Sequence, residues 1–329
     1  MLIPETPANE GARLAALKGL GLMYSPAEAR FDRVTRLARR HFNVAVSLVS
    51  LVHESCQWFK SNQGLSACAT PRELSFCGHA VAMDNTLVVP NALEDSRFAD
   101  NPLVVLDPKI RFYAGHPIRD DQGHALGTLC LLDYAPRGFS MQDRQDLSDY
   151  AAWVSLLIAQ APPNSAARRL VFSLSENERA ALLEPMLGVW NKGGLRAVLD
   201  VETVDTALKG VPLGLMTFEL ADLSGLCMRF GSERVVEFRR FTHALVREHL
   251  PDSSSLGEVR DGLGLAVCPG LSVSDLRERL PALSAAFRQF TAESKGIQVN
   301  LECRINVLDR AIFNAEGIDA LLDSLSSIY

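Results

Sequence analysis

No run of apolar residues in this chain approaches the ~18 that would suggest a membrane-spanning helix. The N-terminus also lacks a basic segment followed by an apolar stretch and a cleavage site. These absences predict a cytoplasmic protein with no membrane partner. There is no block of Lys and Arg and the net charge is −6; binding a phosphate backbone normally needs a basic footprint, so no nucleic-acid partner is expected. No Cys-x-x-Cys pair and no metal-ligand spacing occur among the seven cysteines. An odd count without such spacing argues against structural zinc and a disulfide framework, and for reduced thiols. Internal repeats and low-complexity tracts are absent too. What remains is ordinary globular composition, 47% hydrophobic and 22% charged over 329 residues, enough for about two domains at ~100–200 residues each.

Leu14, Leu17 and Leu20 recur at helical spacing within residues 10–23. Ser25, Pro26 and Glu28 read as the start of a second helix, with Ser25 as its cap. Its stripe of Phe31, Val34, Leu37, Ala38 and Phe42 needs a packing partner. Short β-rich runs follow at Val44 to Val52, Gln57 to Ser61, Thr86 to Val89, Ile110 to Gly115 and Leu126 to Leu132. From Asp143 to Ile158 the chain reads as a helix, and Tyr150 to Ile158 is apolar around most of its circumference. One face covers the sheet; the other calls for a second partner, such as the same helix of another subunit.

Ala161-Pro162-Pro163-Asn164-Ser165 breaks the pattern. The expected organisation is an N-terminal helix at 1–24, a first domain at 25–160, a linker at 161–178 and a second domain at 179–329. Beyond the break, Ser175 and Glu178 predict a capping box for a helix that stops before Pro185. Leu213 to Leu220 reads as a buried central strand and Glu233 to His249 as an amphipathic helix. Leu271 to Lys295 reads as mostly helical despite Pro281, with Gly296 as its stop. Residues 297–307 alternate apolar and polar like one half-buried strand. The fold class expected is α+β: a first domain with a central antiparallel sheet flanked by helices, then an α/β second domain.

Several ordered motifs in the first domain carry a resemblance. They are Pro71-Arg72-Glu73-Leu74-Ser75-Phe76-Cys77-Gly78-His79-Ala80, Asp95 to Pro102, Ile110-Arg111-Phe112-Tyr113-Ala114-Gly115 and Leu126 to Asp133. Over roughly residues 25–160 the chain resembles a bacterial GAF domain. The resemblance implies a small-molecule or redox sensor, commonly dimeric through flanking helices, and leaves the ligand unidentified. No cofactor is assigned. Phe76, Cys77, His79, Arg111 and Tyr113 are the pocket candidates. Cys77 reads either as a sensor thiol or as a small packed hydrophobe, and His79 either as a ligand contact or as a locally hydrogen-bonded side chain. Arg111 and Tyr113, two apart on a strand, share a sheet face; they suit an anion, or equally a surface ion pair and a core tyrosine. Some GAF proteins reduce free methionine sulfoxide through low-pKa cysteines, but Cys56, Cys68 and Cys77 have no evident cationic partner in sequence.

The second domain resembles the GGDEF domain of diguanylate cyclases. Leu256 to Val267 forms two apolar arms around Asp261-Gly262, a dipeptide suited to a two-residue hairpin turn. The family signature falls on Arg260, Asp261, Gly262, Leu263 and Gly264, and differs along its length: the metal-binding carboxylate is Gly262, and the two glycines that admit the nucleotide are Arg260 and Asp261. A one-residue slip rescues little, because the next acid is then Gly262. Glu184 to Lys192 takes the place of the phosphate-cradling entry, and Glu219 keeps the first metal-site acid. Ala221 replaces the second acid, Ser224 the lysine, and Cys227 and Val236 stand where guanine contacts fall. Pro251 to Ser254 replaces the inhibitory product-binding motif. One acid does not hold the two Mg²⁺ ions that this phosphoryl transfer uses, so Glu219 reads as a residual acid in a solvated groove and no bound metal is expected. The expectation is a non-enzymatic, homodimeric signalling protein with a protein signalling partner, whose degenerate GGDEF module acts as an interaction or nucleotide-binding domain. The alternative is an active diguanylate cyclase.

Overall fold

In the computed structural model the described residues are 1–65, 67–160, 166–289, 291–294, 297–300, 303–308 and 315–326. The chain divides into two compact units, Met1–Ala161 and Pro162–Tyr329. The expected break at Ala161 to Ser165 and the expected stop at Gly296 lie outside the described residues.

The first unit begins with α1 (Glu10–Gly19) and α2 (Ala29–His41), followed by β1 (Val46–Val52), β2 (Cys56–Gln63) and β3 (Ala69–Pro71). Then come α3 (Phe76–Met83), β4 (Leu87–Val89), the single turn α4 (Pro102–Val105), β5 (Phe112–Arg119), β6 (Ala125–Asp133) and α5 (Met141–Ala159). Its sheet runs β3-β2-β1-β6-β5-β4, and every neighbouring pair is antiparallel. Val46, Leu48, Val52, Tyr113, Cys130 and Leu132 share one face and build the core with Phe76, Cys77, Ala80 and Val81 of α3. The opposite face carries α2, where the Thr35 and Ser61 hydroxyls lie 2.7 Å apart and Ser61 Oγ donates to Asp32 Oδ1 at 2.6 Å. The helix α5 starts at a complete capping box: Asp143 N donates to Ser140 Oγ, and Ser140 N donates to Asp143 Oδ2. Leu147, Ala151, Val154 and Ile158 turn inward, while Trp153 and Leu156 stay 54% and 61% exposed.

Two expectations for this stretch are corrected. The second helix starts after Glu28, and Ser25 is not its cap. Lys60, buried in β2, claims that segment instead: its Nζ donates to Ser25 Oγ and Pro26 O and pairs with Glu28. A buried ammonium needs its donors satisfied, and this demand outweighs a local cap. Leu37 is 46% exposed although its stripe partners are buried.

The second unit holds α6 (Ala166–Ser173), α7 (Glu176–Ala181), β7 (Leu183–Glu184), β8 (Val189–Trp190), α8 (Lys192–Lys209), β9 (Leu213–Leu220), α9 (Leu223–Phe230) and α10 (Ser232–Glu248). It continues with β10 (Ser255–Arg260), β11 (Leu263–Pro269), α11 (Val273–Gln289), β12 (Thr291–Ser294), β13 (Ile297–Asn300), β14 (Cys303–Leu308) and α12 (Ala315–Ser326). Its main sheet runs β14-β9-β11-β10-β8-β7 and is antiparallel except between β10 and β8. Met216 and Phe218 of β9 pack with Val246 of α10 and with Leu276, Leu283 and Phe287 of α11. The capping box at Ser175 and Glu178 forms as the spacing predicts. The helix expected through Lys295 ends at Gln289, and Thr291–Ser294 instead pairs with Ile297–Asn300 as a small hairpin. The single strand expected over 297–307 is therefore two: only Cys303–Leu308 joins the main sheet, as its edge beside β9. Alternation sets which face is buried and leaves open which strand is the partner.

Candidate functional site

Two places gather the residues singled out by sequence: the core of the first unit and the β10–β11 hairpin of the second. In the first, Ser75 caps α3 by accepting from Gly78 N at 2.8 Å, which fixes the helix that carries Phe76, Cys77 and His79. Phe76 stacks on Phe98 and Tyr113, with ring centroids 4.0 and 5.1 Å apart. Cys77 is buried, with its sulfur 3.6 Å from that of Cys130 on β6. Tyr113 is fully buried, and its hydroxyl fills the space over Gly115, where an added Cβ would lie 2.1 Å from it.

The structure does not bring the other two candidates into this cluster. His79 turns away, its Nε2 donating to Leu2 O at 3.1 Å and its ring standing edge-on to Phe98; burial lowers its pKa. Its partner is thus 77 residues away rather than local. Arg111 precedes β5 and spends its guanidinium on the carbonyls of Val104 and Ile110, so the shared strand face with Tyr113 is corrected. Sequence reasoning passed over Cys130 as a thiol of this domain. The signal was available: Thr128 and Cys130, two apart on β6, put polar atoms on the core face of an otherwise apolar strand.

The Asp261-Gly262 hairpin forms as expected, with Arg260 paired to Leu263 and Gly262 at φ +78°. Gly264 lies under the Phe218 ring, which would meet an added Cβ at 2.1 Å, so this glycine serves core packing. A bulge at Val259 then separates two side chains that would otherwise share a face. Glu258, paired with Gly264, points to the face of Phe218; Arg260, paired with Leu263, points to the face of Glu219.

Both acids meet arginines. Arg260 Nη2 donates to Glu219 Oε1 at 2.7 Å, and Arg304 is the register partner of Glu219 on the other side. Buried Glu258 takes a two-pronged hydrogen bond from Arg239 of α10 and also accepts from Gly262 N at 2.9 Å. Arg239 lies 3.1 Å from Asp261 Oδ1 and 4.0 Å from Glu184 Oε1. Burial pushes the Glu258 and Glu184 carboxyls up, and Arg239 opposes it. Arg239 and Glu258 carried no sequence signal, because their pairing exists only once α10 lies on the hairpin. Asp222 caps α9 from outside the strand, with φ +52° and its carboxylate accepting from Gly225 N at 3.1 Å. A two-Mg²⁺ site does not fit here. Glu219 already neutralises a guanidinium, and Ala221 and Gly262 bring no carboxylate.

Residues 26–158 match the family model of the GAF domain, so the first unit carries a GAF domain. A cyclic di-GMP phosphodiesterase of Pseudomonas aeruginosa is 38% identical over 138 residues, which cover 42% of this chain. The match spans 24% of that protein's length. Among solved structures, the FimX GGDEF domain of Pseudomonas aeruginosa is similar at 17% identity and a TM-score of 0.39, covering 44% of this chain and 90% of that one. The coiled coil and GGDEF domain of DgcB from Caulobacter crescentus, solved with c-di-GMP, is similar at 12% identity and a TM-score of 0.41, covering 55% and 90%. Among the described residues no helix is long and apolar enough to cross a membrane.

Proposed function

We propose that this chain is a non-catalytic protein of cyclic di-GMP signalling. Its GAF domain senses a small molecule or redox state, and its second unit is a degenerate GGDEF-like module that binds a protein partner or a nucleotide. The observation that carries this reading is the ion pair between Glu219 and Arg260. In an active site of this class, carboxylates hold Mg²⁺ against the triphosphate; here the retained acid is held by a guanidinium from the signature position itself. The GAF match and the identity to a cyclic di-GMP phosphodiesterase support the signalling setting. Seven free cysteines suit a reducing cytoplasm. The alternative, an active diguanylate cyclase, keeps Glu219 and, in the phosphate-cradling entry, Gly188 and Asn191.

Purified full chain incubated with GTP and Mg²⁺ is expected to form no cyclic di-GMP above a boiled-protein blank. Turnover above that blank would overturn the reading.

The same reading includes a homodimer through the outer face of α5, because Trp153 and Leu156 leave large apolar surfaces in water on a helix whose inner face is already packed. Light scattering at micromolar concentration is expected to give the mass of two chains, and Trp153→Glu the mass of one. A single-chain mass for both proteins would rule this interface out.

A further inference from the structure

The core face of the first unit's sheet contains a polar cluster that neither the fold nor the proposed signalling role accounts for. Cys77 Sγ and Cys130 Sγ lie 3.6 Å apart, at 3% and 0% exposure. Gly115 is the register partner of Cys130, and the Tyr113 hydroxyl occupies the space that Gly115 leaves open. Thr128 shares the face of Cys130, and Ser50 is its cross-strand partner. The Tyr113 and Thr128 hydroxyls are buried with no hydrogen-bond partner among the described residues. Buried polar groups carry a desolvation cost unless something uses them.

Burial by itself pushes the Cys77 thiol up. The close contact with the Cys130 sulfur opposes burial, and the balance lies below the ordinary thiol range. The Cys130 thiol is pushed up by burial and by its neighbour Cys77. Two sulfurs at this separation share one hydrogen bond, the adjacency that an attacking and a resolving thiol require.

We propose that Cys77 and Cys130 are a redox-active thiol pair, which a hydroperoxide oxidises to a disulfide inside the first unit. The Cys77 thiolate attacks a peroxide oxygen; the S–O bond forms, the O–O bond breaks and the departing oxygen leaves as water or alcohol after taking a proton. Cys130 then attacks the resulting sulfenic sulfur; the S–S bond forms, the S–O bond breaks, and the Cys130 proton leaves with the hydroxide as water. Two thiols lose two electrons and one peroxide gains them. A dithiol reductant of the same compartment reverses the step by thiol–disulfide exchange. Closing the bond brings the sulfurs to about 2.05 Å, which draws α3 toward β6 in a close-packed core. The same helix carries the N-terminal strap, since Pro4 lies against Gly78 and Leu2 O accepts from His79.

This proposal rests on the sensor reading for its use, while its chemistry is read in the first unit alone. A failed thiol test and a positive cyclase assay are therefore separate results. The test exposes reduced full chain to hydrogen peroxide, then alkylates it under denaturing conditions and maps peptides by mass spectrometry. Exposed Cys227 reports the dose. The expected result is a Cys77–Cys130 cross-linked peptide pair, two hydrogens lighter than the separate peptides and released by dithiothreitol. Its rate of formation should titrate below the usual thiol range. In Cys130→Ser, Cys77 should instead be trapped by dimedone as a sulfenic acid; the wild-type cross-link does not depend on that variant folding. Oxidised Cys227 with Cys77 and Cys130 both fully alkylated would overturn the proposal, as would a cross-link that forms only in urea.

Discussion

Arg239→Met is expected to destabilise the second unit by about 3–5 kcal/mol, the usual cost of removing one partner from a buried ion pair. Glu258 is 4% exposed, and without Arg239 its carboxylate must either stay charged in the core or take up a proton. Burial already pushes it toward protonation. Asp261 loses the same partner at little cost, because its side chain is 79% exposed and is solvated by water. The double variant Arg239→Met with Glu258→Leu removes both charges and is expected to recover most of the loss. Arg260→Met, which breaks the partly exposed pair with Glu219, should cost no more than about 1 kcal/mol. Hydrogen exchange of the β9 and β11 amides reads these changes in the full chain. If Arg239→Met and Arg260→Met cost the same, the Arg239 pair is no more than a surface contact.

Lowering the pH from 6.5 to 4 is expected to remove about 3 kcal/mol from the second unit through His243 alone. This histidine is buried, its Nδ1–H donates to Arg239 O at 3.0 Å, and its ring stands edge-on to Phe218. Burial, aided by the charges of Arg247 and Arg239, pushes its pKa down to about 4. A depressed histidine stays neutral in the folded chain while the unfolded chain takes the proton. Its stabilising contribution is therefore complete above about pH 6.5 and is lost as the pH falls through the folded value. Glu184, Glu202 and Glu258 work in the opposite direction, since burial raises all three. The informative quantity is the difference between wild type and His243→Gln across that range. Parallel pH profiles for the two proteins would show that His243 does not titrate with unfolding.

Much of the architecture was legible in sequence because it rests on local rules. Two capping boxes, the Asp261-Gly262 turn and the burial of β1, β6 and β9 follow from spacing and turn chemistry. The failures share a cause. Ser25 had the right pattern for a cap, but Lys60, 35 residues away, took its hydroxyl. Residues 297–307 had one period, but two partners, β12 and β9, divided them. Thr128 and Cys130 mark a polar face on β6 in sequence, but the second sulfur lies 53 residues away and meets Cys130 only once α3 packs on the sheet.

The sequence by itself determined the two units, the GAF character of the first and the Asp261-Gly262 turn of the second, since each is a matter of residue identity at a given spacing. Only the tertiary structure decided what the remaining charges do. A one-residue bulge at Val259 sends Glu258 toward Arg239 and Arg260 toward Glu219. Charge pairing falls off over a few ångströms and depends on burial, and neither quantity exists along the chain until the strands are in register and α10 is packed on them.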